Sequence, residues 1–150
     1  GPGVALPGAS PVKGQESLSK GDLKRAMAAR ELSGPGLPSD VEELLKTALT
    51  NYRRENYHEA LEVFQQVLST DRELGHVWGY LGFCFLMLDA LPKAFTAFQE
   101  ALKLLPDPRI PDLWFGIGLL YERYSSWMHA EEAFKVVLDI APDFGEAIEV

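Results

Sequence analysis

Residues of the same type recur along this chain at one spacing, and a chain that repeats itself in this way is restricted to a repeat architecture. Trp78, Leu81, Gly82, Phe85, Ala94, Phe98, Ala101 and Pro106 are each matched 36 residues later by Trp114, Ile117, Gly118, Tyr121, Ala130, Phe134, Val137 and Pro142. A weaker copy lies upstream at Leu44, Ala48, Tyr52, Ala60, Phe64 and Val67, with Ala60 and Phe64 placed 34 residues before Ala94 and Phe98. A period of this length marks a unit too small to bury its own apolar faces, so that only stacking of about three units makes a continuous core. Glycine and alanine at Gly82, Gly118, Ala94 and Ala130 let two helices of a unit approach closely. Phe85, Phe98, Tyr121 and Phe134 fill the space beside them, large against small. Pro106 and Pro142 end the second helix of their units, because proline cannot continue one. The expectation is an all-α solenoid of three helix-turn-helix units at 41–74, 75–108 and 111–144, with helices near 40–53, 56–69, 75–88, 91–104, 111–124 and 127–139. Extra residues at 107–110, bounded by Pro106, Pro108 and Pro111, explain the offset of 36. A further helix is expected to begin near Asp143 and to occupy 145–150, as the opening of a longer array or an end that pairs with another copy.

The first 39 residues read differently. Residues 1–16 are rich in Gly, Pro, Ser and Ala without an apolar period, the composition of a flexible tail. Within that tail, residues 21–32 contain mostly good helix formers. Asp22 stands at the start and Gly34-Pro35-Gly36 beyond the end, and Leu23, Ala26, Met27 and Arg30 share one face. A helix of that length is marginal in water unless it docks. The remaining 40–150 form the repeat domain.

Charge divides the chain the same way. Residues 1–39 carry five Lys or Arg against three Asp or Glu, whereas 40–150 carry nine against nineteen. An acidic repeat domain repels phosphate backbones, which argues against direct nucleic-acid binding and favours neutral or basic protein segments. No apolar run reaches the length of a membrane span. Cys84 is the single cysteine, so no intrachain disulfide can form, and its mid-helix position suits a small buried hydrophobe. His58, His76 and His129 fall at non-equivalent points of the three units, with no partner at metal-ligand spacing. No glycine-rich phosphate loop or nucleophile elbow is present. The expectation is a protein without catalytic activity, cofactor or metal. The absence of a visible signal peptide suggests a nuclear or cytoplasmic protein.

The order W-x2-L-G-x2-Y, then A-x3-F-x2-A, then P resembles the tetratricopeptide repeat. In that architecture the first helices of successive units line a concave face. In-phase residues there are Leu45, Leu49, Tyr52 and Arg53 in the first unit, Tyr80, Phe83, Leu86 and Met87 in the second, and Phe115, Leu119, Glu122 and Arg123 in the third. Only Arg53 and Arg123 could hold a carboxylate, so a greasy groove accepting an amphipathic helix is expected rather than a terminal-carboxylate clamp. Met87 suits adaptable packing. Leu23, Met27 and Arg30 of the tail have anchors and charge that such a groove accepts, and a short tether raises their effective concentration.

Two stretches carry a narrower likeness. Residues Leu81 to Asp89, with Lys93, Ala94, Ala97, Gln99, Ala101 and Leu102, and Pro111 to Tyr124, with Ala130 to Phe134 and Pro142 to Phe144, resemble repeats of the Ssn-type subunit of the fungal general transcriptional corepressor. The tetratricopeptide region of Jumonji-type histone demethylases is a more distant match. The likeness spans about 70 residues; the first unit matches only the generic repeat, and the resemblance is not expected to reach residues 1–39. The resemblance implies a nuclear scaffold without catalysis, with a Tup-type WD-repeat protein or transcription factors as partners. A cytosolic cochaperone or assembly adaptor, and an oligomerisation module that self-associates through its open last repeat, are the competing expectations.

Overall fold

A computed structural model describes residues 39–144. Six helices follow one another: α1 (Ser39–Arg53), α2 (Tyr57–Thr70), α3 (Gly75–Met87), α4 (Leu91–Leu104), α5 (Pro111–Arg123) and α6 (Trp127–Ile140). Among the described residues there is no strand. The bounds fall within about a residue of those expected from periodicity, inside the usual uncertainty of helix ends. The helices pack as three antiparallel pairs, α1 with α2, α3 with α4 and α5 with α6, and each second helix packs on the first helix of the next unit. The expected tail, with its 21–32 segment, and the further helix over 145–150 lie outside the described residues.

One device closes all three hairpins. Glu55, Asp89 and Ser125 occupy equivalent turn positions, and each adopts the left-handed conformation, with φ of 62°, 60° and 57°. The amide that follows each one reaches back over the helix end: Asn56 N–H donates to Asn51 O at 2.9 Å, Ala90 to Phe85 O at 2.8 Å and Ser126 to Tyr121 O at 2.9 Å. A second bond, spanning three residues, runs from the amides of Glu55, Asp89 and Ser125 to the carbonyls of Tyr52, Leu86 and Glu122. This pair of bonds is the Schellman cap, which satisfies carbonyls that a helix end otherwise leaves open.

Close packing explains the glycines. A Cβ on Gly82 would stand 2.8 Å from two ring atoms of Phe98, and a Cβ on Gly118 would collide with the ring of Phe134. The paired helices therefore meet at the contacts the sequence marks. The links between units differ. Residues 71–74 join α2 to α3, while the longer 105–110 joins α4 to α5 and buries Leu105, Pro108 and Ile110. Each link is tied by the tryptophan that follows it. Trp78 Nε1 donates to Arg72 O at 2.8 Å, and Trp114 Nε1 donates to Pro108 O at 2.9 Å.

Candidate peptide-binding groove

The first helices α1, α3 and α5 carry the twelve expected groove residues, and the structure sorts them into three groups. Tyr52, Phe83, Met87, Phe115 and Leu119 are half-buried. Arg53, Glu122 and Arg123 are exposed. Leu45, Leu49, Tyr80 and Leu86 are buried members of the core. The expectation that these four form accessible groove wall is therefore corrected. They carry the right helical phase, but neighbouring side chains close over them, which a repeat period alone cannot report.

Aromatic rings join the first two units. Tyr52 meets Tyr80 edge-on, with centroids 4.8 Å apart, and Phe83 at 6.1 Å. Tyr80 stacks on Phe64 of α2 at 5.5 Å. Such pairs hold a wall rigid as well as apolar. Burial drives the Tyr52 phenol far above its ordinary pKa, with the neighbouring Cys84 and Tyr80 adding to the shift. It remains a neutral hydroxyl at any physiological pH. In the third unit Phe115 lies 5.8 Å from Phe134 and 5.5 Å from Phe144.

The two arginines do not form a pair. Arg123 Nη1 stands 3.3 Å from Asp89 Oδ1 of the preceding unit, an exposed contact between the ends of α3 and α5. Its charge is thereby partly offset, and Arg53, at the C-terminal end of α1, makes no ion pair with a described residue. This arrangement offers no bidentate carboxylate clamp of the kind that pairs of cations build. Burial pushes the Cys84 thiol up to about 12, so it behaves as an apolar filler rather than a nucleophile. Among the described residues no cluster of His, Cys, Asp and Glu is placed to hold a metal ion, and no helix is long and apolar enough to cross a membrane.

Sequence reasoning missed the contacts between units. The Asp89–Arg123 ion pair joins positions 34 apart, two short of the offset of 36 between those units, so the repeat pattern carries no signal for it. The partial burial of Phe134, against full burial of Phe64 and Phe98, has no signal in the repeat pattern.

Comparison with known proteins adds the following. No family model matches the chain. The general transcriptional corepressor trfA of Dictyostelium discoideum is 42% identical over 132 residues, 88% of this chain and 10% of that protein. The general transcriptional corepressor ssn6 of Schizosaccharomyces pombe is 40% identical over 129 residues, 86% of this chain and 12% of that protein. The chain thus spans about a tenth of the length of the curated relatives it matches. The 132 aligned residues outnumber the positions in 40–150, so the likeness reaches back into 1–39 and is wider than the 70 or so residues expected. Among solved structures, the crystal structure of MamA superposes with a TM-score of 0.64 and 27% identity, covering 85% of this chain and 74% of that one. The type III secretion translocator chaperone SycD of Yersinia enterocolitica gives 0.63 at 19% identity, covering 75% and 84%, a likeness of fold alone.

Proposed function

Because this chain is a tetratricopeptide-repeat protein, homologous over most of its length to general transcriptional corepressors, we propose that it is a non-catalytic scaffold that holds a protein segment against its first helices in transcriptional corepression. The observation that carries this reading is the row of half-buried apolar side chains, Tyr52, Phe83, Met87, Phe115 and Leu119, supplied by three successive first helices. Large side chains left partly open in sequence order along a rigid wall suit an amphipathic helix, whose anchors recur every three or four residues. Arg53, Glu122 and Arg123 sit among them and would set its polarity.

The partner is a protein segment, and a Tup-type WD-repeat protein or a transcription factor is the candidate in the nucleus. The tail segment bearing Leu23, Met27 and Arg30 is a candidate occupant in cis. The test is capture from nuclear and cytosolic extracts by the wild-type chain and by Phe83→Glu and Leu119→Glu. Nuclear partners retained by the wild type and lost from both variants support the reading; equal capture by all three overturns it. A cytosolic adaptor is the outcome in which the lost partners come from cytosol alone.

Self-association is a second reading, supported by the apolar surface of the third unit. Leu138 is 48% exposed, whereas Leu68 and Leu102, at the same position of the earlier units, are 4% and 5% exposed. Light scattering across a concentration range tests it, and a strict monomer at high concentration rules it out.

A further inference from the structure

A second groove lies on the side of the stack built by the second helices. There α2 and α4 do not pack along each other, and the gap between them has a volume of about 520 Å³, within the range of about 300–1,000 Å³ typical of ligand-accepting clefts. Its floor is α3, which presents Trp78, Leu81 and Phe85; Leu68 of α2 and Ala97 of α4 form the walls. Two cations stand over this floor. The Arg72 guanidinium lies 5.5 Å from the Trp78 ring centroid, and the Lys93 ammonium lies 5.8 Å from that of Phe85. Both are exposed, and among the described residues neither has a salt-bridge partner and no carboxylate lines the groove.

The next junction of the stack shows that this is not a generic consequence of the repeat. Thirty-six residues on, Trp78 becomes Trp114, Phe85 becomes Tyr121, Arg72 becomes Pro108 and Lys93 becomes His129. The frame is conserved in geometry, since the carbonyls of Arg72 and Pro108 accept the indole N–H of their respective tryptophans. The longer link folds down there, and Trp114 is only 3% exposed, while Trp78 stays half-open. His129 stacks on Tyr121 with centroids 5.1 Å apart, and its Nδ1 shares a hydrogen bond with Ser126 Oγ at 2.9 Å. Of the two described junctions, the first alone therefore has both the cation pair and the open floor.

The spacing defines the occupant. Trp78 and Phe85 are seven residues apart on one helix, so their positions lie about 10 Å apart along it, two turns at 1.5 Å per residue, each with one cation within 6 Å of its ring. We propose that this groove docks an acidic amphipathic helix of a partner protein, with carboxylates at positions i and i+7 and aliphatic anchors between them at i+3 and i+4. The carboxylates meet Arg72 and Lys93, and the anchors cover Trp78 and Leu81. On a domain whose balance over 40–150 is nine basic against nineteen acidic residues, an acidic ligand is repelled elsewhere and drawn to this pair, so charge fixes the location more than the affinity. The basic tail segment with Lys24, Arg25 and Arg30 has the wrong sign for this groove, which separates it from the wall of first helices.

The probe is a fluorescein-labelled fourteen-residue synthetic peptide with Glu at i and i+7 and Leu at i+3 and i+4, and a control peptide with Lys at both acidic positions. Fluorescence anisotropy on the whole chain should show saturable binding of the acidic peptide, weakened tenfold or more by Arg72→Glu with Lys93→Glu and by raising salt from 50 to 300 mM. Amide NMR shifts should centre on Trp78, Lys93 and Ala97, with Phe83→Glu and Leu119→Glu leaving the affinity unchanged. Circular dichroism of the double variant, whose two sites are exposed, checks that it is folded. Equal binding of the Lys control, loss of binding in Phe83→Glu with none in the double variant, or a dimer that the double variant dissociates each overturns the proposal. Displacement of the peptide by decanoate at equal concentration also does so, because it assigns the groove to a small amphiphile.

Discussion

At the residue scale, the repeat is enforced by steric contacts of single atoms. Gly82 and Gly118 lie against Phe98 and Phe134 with no room for a methyl group. Gly82→Ala gains about 1 kcal/mol of helix propensity but loses about 1–3 kcal/mol to overpacking, since Phe98 is fully buried and cannot yield. A net loss of about 1–2 kcal/mol in urea unfolding is expected. Gly116→Ala should cost less than Gly82→Ala, because its methyl would meet the fixed Phe98 ring at 3.0 Å rather than 2.8 Å, and its other neighbour, Phe83 at 3.3 Å, is half-open and can move. Cys84 supplies a pH-dependent readout. Its folded pKa is raised by burial from 9.0 to about 12, so the neutral thiol stabilises the fold fully below pH 9, and that contribution is lost as pH climbs from 9 towards 12. Wild type should lose more stability than Cys84→Ala over that window. The glycine pattern and the buried cysteine were legible in the sequence because spacing reports phase. The burial of Leu45, Leu49, Tyr80 and Leu86 was not, because it depends on side chains that arrive from other units.

At the element scale, the three hairpin turns and the two links behave differently although all repeat. Glu55, Asp89 and Ser125 each hold a left-handed conformation, which costs a residue bearing a Cβ about 1–2 kcal/mol. Glycine removes that cost but adds chain entropy to the unfolded state worth about 0.4–1 kcal/mol. Glu55→Gly and Ser125→Gly should therefore each raise stability by about 0.5–1 kcal/mol, read as a higher urea midpoint with an unchanged slope. Asp89→Gly should gain less, because it also removes the ion pair with Arg123, an exposed contact worth at most about 1 kcal/mol. The links respond to their tryptophans. Trp114→Phe leaves the Pro108 carbonyl without its buried donor and should cost about 1–3 kcal/mol, while Trp78→Phe exposes the Arg72 carbonyl to water and should cost less. Helix ends were readable because Pro106, Pro111 and Pro142 punctuate the chain. The capping bonds were not, since no glycine marks the left-handed positions.

At the scale of the whole molecule, the burial of equivalent positions is set by what packs against each unit: Leu68 and Leu102, on helices followed by a further unit, are 4% and 5% exposed, whereas Leu138, on the last described helix, is 48% exposed. Leu138→Glu should change stability by no more than about 0.5 kcal/mol, as at other exposed sites. Leu102→Glu should abolish cooperative unfolding, because it places a carboxylate in the core between units. Thermal melts of the two variants side by side check this. Trp127 and Met128, 64% and 79% exposed, lie at the opposite end of α6.

Local sequence was enough to determine the repeat, the number of helices over 39–144, their ends and the residues at which paired helices touch, because each follows from spacing and steric size within one unit. Only the tertiary structure decided which in-phase side chains remain reachable, which tryptophan is roofed by its link, and where Arg72 and Lys93 stand over a shared floor. Those properties arise between units, where separation along the chain no longer limits which atoms meet.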